Sequence, residues 1–487
     1  MRAAINRPLF GTMLAALTAL ILLSCTTLAA DDTATTKSKP KSIDGSWQGT
    51  LKVSGVELRL MFHFGKDEKG NLKATLDSPN QGAKGIAVDS ATVSGDAVEV
   101  EVKVIQGTFE GKLNEDGTLI KGQWTQLGNV LPLDIKRLDE KPPEGRPQDP
   151  KKPYPYNEEE VICENKAAKI KLAGTLTWPK GNGPVPAVLL ITGSGPQDRN
   201  ESVVGHKPFL VLADFLTRRG IAVLRLDDRG VGGSTGEWEN ATTHDLTGDA
   251  LAAVAFLKAR KEIDPRRIGM LGHSEGGLIA PLAASRSGDV AFIVMMAGTG
   301  VNGEEILNRQ GELLAPILGQ GQDAAKNSHW HSTNREIINV LKVEPDQAKA
   351  EAKIRDLVAK AVEHSVGAQA ELQKAQAEAQ LKRILSPWMR FFLTYEPRIA
   401  LRKVRCPVLA INGEKDMQVD PKQNLPPLEA ALKEGGNKHY TVKELPGLNH
   451  LFQHCKTGSP TEYGAIEETI APEVLELITT WIVDRTK

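Results

Sequence analysis

Two textures of hydrophobic and polar positions divide the chain. Between residues 43 and 137, short runs alternate apolar and polar side chains: "SWQGTLKV", "VELRLMFHF", "AVEVEVKV", "GTFEGKL" and "TLIKGQW". Polar turns such as "GKDEKGN", "SGD" and "NEDG" separate them. A period of two places alternate residues on opposite faces of a strand, so about eight such runs predict a small antiparallel all-β domain, barrel or sandwich, over 43–138. From about residue 158 the apolar runs become continuous: "VPAVLLITG", "GIAVLRLDD", "RIGMLGH", "VAFIVMMAG", "CPVLAING" and "HYTVKELPG". Helix-like stretches such as "HKPFLVLADFLTRRG" and "HDLTGDALAAVAFLKARKEI" lie between several of them. Fully apolar strands alternating with helices predict an α/β domain over 158–487, its parallel sheet covered on both faces.

Three segments break these rhythms. Residues 139–157 carry six prolines between 142 and 155 and read as a semi-extended linker. Residues 301–400 are rich in Ala, Glu, Lys, Gln and Leu without strand patterning. They are expected to form a helical cap over the sheet's C-terminal edge, with an oligomerising bundle as the competing reading. Residues 1–30 place Arg2 and Arg7 before the apolar run "LFGTMLAALTALILL" and then small residues, the layout of an export signal peptide. Two processing routes stand side by side: a lipoprotein-like "LLSC" box that would put a lipid on Cys25, and a "TLAA" site before Asp31. The expected location is therefore exported: periplasmic, lipid-anchored or secreted.

Charge narrows the classes. Lys plus Arg (60) nearly balances Asp plus Glu (61), so no basic field exists to attract nucleic acid. Cys163, Cys406 and Cys455 remain after the leader, and their spacing resembles no metal site.

The candidate chemistry lies in "RIGMLGHSEGGLIAPLAA". G-x-S-x-G matches twice, at Ser274 and at Ser234. Ser274 follows an apolar strand and precedes a helix, the strand–turn–helix context that lifts a hydroxyl above a sheet edge. Ser234 leads into the polar loop "TGEWENATTH" and reads as a surface turn. A serine nucleophile needs a base, and the base an orienting acid. Asp416 in "GEKD" and His450 in "LNH" each follow a predicted strand; Asp420, Glu414 and His454 are the runners-up. Oxyanion donors are expected at the backbone N–H of Glu275 and in the loop at Gly193 and Ser194. "HWH" at 329–331 lacks a third ligand at sensible spacing, so no metal is expected, and no organic cofactor is required.

"LLITGSGPQDRNE", "AVLRLDDRGVGGSTG", "GMLGHSEGG", "SPWMRFF" and "VLAINGEKDMQV…LPGLNH" together resemble the α/β-hydrolase superfamily, in particular EstD-type bacterial carboxylesterases, filed near serine aminopeptidases. "DGSW" similarly resembles the Gly-x-Trp of lipocalin-like barrels. The esterase resemblance implies Ser274 as nucleophile, Asp416 as acid and His450 as base. It further implies hydrolysis of small, short-acyl esters, with "DDRG" (227–230) a structural loop and the β-domain a fore-domain. Trp388 and Phe391, with Phe392, are candidates for the substrate pocket. Competing readings on the same triad are a peptidase or amidase, with Glu304 and Glu305 recognising an amine, and an acyltransferase. A ligand-binding β-domain with the hydrolase as passenger is a fourth.

Overall fold

The computed structural model describes residues 42–487 except 54–55, 68, 79–82, 127–128, 139–145, 182, 315–328, 363–380 and 382. The segment expected to be an export signal, with Cys25, lies outside the described residues.

Ten strands form the first sheet: β1 (Gly45–Val53), β2 (Val56–Lys66), β3 (Leu72–Ser78), β4 (Ala83–Ala87), β5 (Ser90–Ser94), β6 (Ala97–Val102), β7 (Gly107–Leu113), β8 (Leu119–Gln126), β9 (Asn129–Pro132) and β10 (Ile135–Arg137). Every pairing is antiparallel, in the order β4-β3-β2-β1-β10-β8-β7-β6-β5, with β9 paired to β8. β3 lies against β5, so the sheet coils nearly back on itself. Alternation puts Trp47, Phe62, Phe109 and Trp124 inside, all essentially inaccessible. Phe62 packs on Phe109 at 5.3 Å and on Trp124 at 6.2 Å. These rings fill the interior of the sheet.

The second sheet has eight strands: β11 (Asn157–Asn165), β12 (Ile170–Trp178), β13 (Val185–Ile191), β14 (Ala222–Leu226), β15 (Ile263–His273), β16 (Phe292–Met296), β17 (Val408–Gly413) and β18 (Tyr440–Leu445). The order is β11-β12-β14-β13-β15-β16-β17-β18, parallel from β14 onward. One detail differs from the expectation of a parallel sheet: β11 and β12 form an antiparallel hairpin that joins it through β14. β11 is an edge strand with one wet face, alternating exposed Glu158, Glu160 and Ile162 with buried Val161 and Cys163, so it lacks the continuous apolar signature.

Helices α1 (Pro208–Thr217) and Pro472–Thr486 cover one face, where Phe209, Leu212, Ile478 and Ile482 share a core. α2 (Thr243–Lys258), α3 (Gly276–Ala284) and Pro421–Glu434 cover the other. α2 starts on a capping box: Thr242 Oγ1 accepts from Asp245 N–H while the Asp245 carboxylate accepts from Thr242 N–H. Between β16 and β17 the described residues contain only helices, among them α4 (Gly303–Leu314), His329–Val343, Gln347–Val362 and Pro387–Thr394. Their own apolar cluster includes Ile337, Leu341, Ile354, Leu385 and Trp388.

The proline-rich segment is not a loose tether where it is described. Arg146 donates to the carbonyls of Val204, Gly464 and Ile466, and Gln148 donates to that of Ile470. Arg59 of β2 also reaches the carbonyl of Gly464. Segment and β-domain thus brace two loops of the α/β domain.

Candidate active site

β15 ends at His273 and α3 begins at Gly276, leaving Ser274 and Glu275 to make the turn. Ser274 has φ +53°, a left-handed conformation that costs a non-glycine residue energy and is held by its surroundings. Its N–H donates to Met296 O on the neighbouring strand, and its carbonyl accepts from Gly277 N–H. The flanking glycines are steric requirements. A Cβ on Gly272 would lie 1.9 Å from Gly276 O, and one on Gly276 would lie 2.1 Å from Ile191 O. Ser234 has a different occupation. Its hydroxyl donates to Asp227 O and accepts from Ala173 N–H, pinning a turn.

Asp416 follows β17 and His450 follows β18, 34 residues apart in sequence. His450 Nδ1 and Asp416 Oδ2 stand 2.7 Å apart, both residues buried. Asp416 Oδ1 accepts from the N–H groups of Gln418 and Val419, which fixes the carboxylate's plane. Such an arrangement selects the tautomer with the proton on Nδ1 and leaves Nε2 to act as base. Ser274 and His450 line the same cavity, without a hydrogen bond between their side chains in this state.

The oxyanion expectation needs one correction. Gly193 N–H donates to Glu201 Oε1 at 2.7 Å, so it is already occupied. A tight loop turns that amide toward a buried carboxylate which local sequence spacing does not reveal. The N–H groups of Ser194 and Glu275 make no hydrogen bond within the described residues, and both residues line the cavity.

Glu201 was not singled out by pattern, nor was His273. Glu201 Oε1 lies 2.9 Å from His273 Nδ1, and His273 Nε2 donates to the carbonyl of His450 at 3.0 Å. Burial opposes the charged imidazole, but the Glu201 carboxylate outweighs it and raises the His273 pKa. One buried acid therefore ties the Gly193–Ser194 loop, the residue before the nucleophile and the backbone of His450 into a single frame. The only sequence trace is the adjacency of "RNE" to the glycine loop and the His inside "GHSEG".

"DDRG" braces the same loop. Asp228 accepts from Thr192 Oγ1 and Gln197 N–H, Asp227 pairs with Arg199, and Arg229 pairs with Asp249. Burial pushes the Asp228 carboxyl up to about 7.

A cavity of about 420 Å³ opens over Ser274, walled by Ser194, Val203, Val204, Leu307, Met389 and Tyr463 among others. Trp388 belongs to this wall; its Nε1–H donates to Glu275 Oε1 at 2.7 Å and its ring stacks on Phe392 at 5.1 Å. Phe391 is corrected: it stacks on Tyr395 instead, and Phe392 takes its place in the wall. Four residues on a helix keep a side chain within about 40° of Trp388, which sets Phe392 on the lining face.

The runners-up are engaged elsewhere. Asp420 caps Pro421–Glu434 and pairs with Arg309; Glu414 accepts from Gly447 N–H; His454 is exposed between Glu468 and Glu473. Glu304 pairs with Lys342 and Glu305 bonds Asn302, and neither lines the cavity. The side chains of His329 and His331 lie outside the described residues.

The family model described as X-Pro dipeptidyl-peptidase (S15 family) matches residues 169–444, more than half of the 487-residue chain. Esterase EstD of Thermotoga maritima is 29% identical over 62% of this chain and 64% of its own length. The hydrolase YtaP of Bacillus subtilis, itself named as putative, is 35% identical over 21% of this chain and 39% of its own length. The chain thus spans less than two thirds of either relative. Among solved structures, ferulic acid-bound Est1E from Butyrivibrio proteoclasticus is 20% identical with a TM-score of 0.38, covering 66% of this chain and 96% of that one. The elbow, the sheet that carries it and the matched family model lead to one assignment: the chain belongs to the X-Pro dipeptidyl-peptidase (S15) family.

Proposed function

We propose that the protein is a serine carboxylesterase whose triad is Ser274, His450 and Asp416. The observation that carries this reading is Ser274 in left-handed conformation at the tip of β15, sharing a cavity with a histidine whose Nδ1 sits 2.7 Å from a buried aspartate. His450 Nε2 takes the hydroxyl proton as Ser274 Oγ attacks the ester carbonyl. The N–H groups of Glu275 and Ser194 hold the oxyanion, each worth about 3 kcal/mol of barrier. Collapse expels the alcohol, protonated by His450, and leaves an acyl-serine. Water deprotonated by His450 then releases the acid and restores the hydroxyl. The similarity to EstD supports ester over amide as the bond cleaved. The proposal extends to an exported protein, on the strength of the leader pattern in residues 1–30.

The test is hydrolysis of p-nitrophenyl esters from acetate to palmitate by the purified chain, beside Ser274→Ala and Ser234→Ala. The expected result is short-chain activity, lowered at least about 1,000-fold in Ser274→Ala and retained in Ser234→Ala. Absence of ester cleavage, with cleavage of Xaa-Pro anilides, would instead favour the peptidase reading that the family's description raises.

A further inference from the structure

The cavity that Ser274 lines has six ionisable groups in its wall: Glu201, His273, Glu275, Arg383, His450 and Tyr463, whose hydroxyl accepts from Gln418 Nε2. Glu201 and His273 pair with each other, and His450 is held by Asp416 behind it. Arg383 is different. Among the described residues its guanidinium makes no hydrogen bond and no ion pair, and its Nε is buried without a partner. The ring of Trp388 lies with its centroid 5.6 Å from Cζ, and the Glu275 carboxylate acts on the cation through space without touching it. Trp388 in turn donates to Glu275, the residue directly after Ser274. The cation therefore stands two contacts from the nucleophile's own turn.

Glu275 does not neutralise it locally. Glu275 Oε1 is taken by Thr243 and Trp388, Oε2 is buried without a partner, and no ion pair with Arg383 forms. Burial also raises the Glu275 pKa, which weakens it as a counter-ion. A buried guanidinium N–H without an acceptor is unfavourable, and the rest of the fork stays open to the cavity that Arg383 lines. Arginine stays protonated and presents a rigid planar fork of donors that matches the two oxygens of a carboxylate. A ligand that brings the missing acceptor removes that cost on binding.

We propose that Arg383 recognises a carboxylate carried by the substrate, so that the preferred substrate is a small ester bearing a free acid group. This inference rests on the ester-hydrolase reading. The cavity, about 420 Å³, holds such a molecule with its ester at Ser274 and its acid at Arg383.

Two matched pairs test it: p-nitrophenyl hydrogen glutarate against p-nitrophenyl pentanoate for an acid on the acyl side, and 4-carboxyphenyl butyrate against phenyl butyrate for one on the alcohol side. The readout is the ratio of kcat/KM, acidic over neutral, in the wild type, Arg383→Met and Arg383→Lys. Measured on one preparation, the ratio is independent of the active fraction, so imperfect folding of a variant cancels; comparing variants cancels intrinsic reactivity. For one of the two pairs the ratio is expected to fall roughly 10- to 100-fold in Arg383→Met, with Arg383→Lys recovering part of it. Ratios equal across the three proteins in both pairs overturn the inference and leave the esterase reading standing. If the wild type cleaves no ester, the esterase reading falls instead. Protection of Ser274 from a fluorophosphonate label by free glutarate then still decides the anion site: protection in the wild type and none in Arg383→Met supports it, and equal labelling overturns it.

Discussion

At the scale of single residues, burial decides the chemistry more often than residue type does. His206 shows this most plainly. It is inaccessible to solvent, with Nδ1 against Thr469 Oγ1 and Nε2 against the carbonyl of Tyr463, a residue of the cavity wall. Burial, helped by the nearby Arg146 charge, lowers its pKa from 6.5 to about 4. The folded protein therefore takes up this proton only near pH 4, whereas the unfolded chain takes it up near 6.5. Between those values the unfolded state holds the extra proton, so stability is lost as pH falls through that window. Above it the group contributes nothing. The full loss is about 3 kcal/mol at one histidine. Denaturant melts of the wild type and His206→Gln at pH 7.5, 5.5 and 4 check it: their stability difference is expected to shift in favour of His206→Gln on acidification. A difference independent of pH refutes the assignment. Glu201, Arg383 and Phe392 teach the same lesson for the site. As residue types they are ordinary in a loop or helix, and only the fold, which sets all three in the cavity wall, gives them a role.

Among the elements, the strand–turn–helix unit of β15 and α3 carries most of the specificity of the site. Its glycines are dictated by contacts at 1.9 and 2.1 Å that no side chain tolerates. Gly272→Ala is expected to cost about 1–3 kcal/mol or more, because backbone rather than a pliable side chain must move. It is also expected to lower esterase activity by displacing Ser274. Gly288→Ala, at a glycine with open space around it, is the control and is expected to lie within about 0.5 kcal/mol of the wild type. Thermal melts read beside ester hydrolysis separate the two; equal Tm values for the two variants would contradict the steric account. The cap is the other decisive element. Its helices were legible as a block without strands, but which aromatic faces the cavity depended on how Pro387–Thr394 is rotated.

At the scale of the whole molecule, the β-domain and the proline-rich strap are structural partners of the catalytic body. Arg146 alone holds three backbone carbonyls, on the 204 loop and the 464–466 loop, and both loops supply wall residues, Val204 and Tyr463. Arg146→Ala is expected to lower stability by about 1–3 kcal/mol. It is also expected to raise KM more than it lowers kcat, since it loosens the wall and leaves the triad in place. A variant with wild-type KM and an unshifted denaturation midpoint would show the strap to be a passive spacer.

The sequence by itself determined an antiparallel all-β part followed by an α/β part, five of the ten strands of the first sheet and six of the eight of the second, the helical insertion, and the strand-to-helix turn at Ser274 that Ser234 lacks. These rest on local periodicity and on strand-to-helix context, which are short-range properties of the chain. The same local signals put Asp416 and His450 at the ends of their strands. Tertiary structure alone decided what faces what: that Gly193 gives its amide to Glu201, that His273 joins that acid to His450, that Phe392 rather than Phe391 lines the cavity, and that Arg383 Nε is buried without an acceptor. Some join segments 72 and 177 residues apart, and the others depend on how a loop closes or a helix is rotated. A hydrophobic pattern records whether a residue is buried, not which atom it meets there.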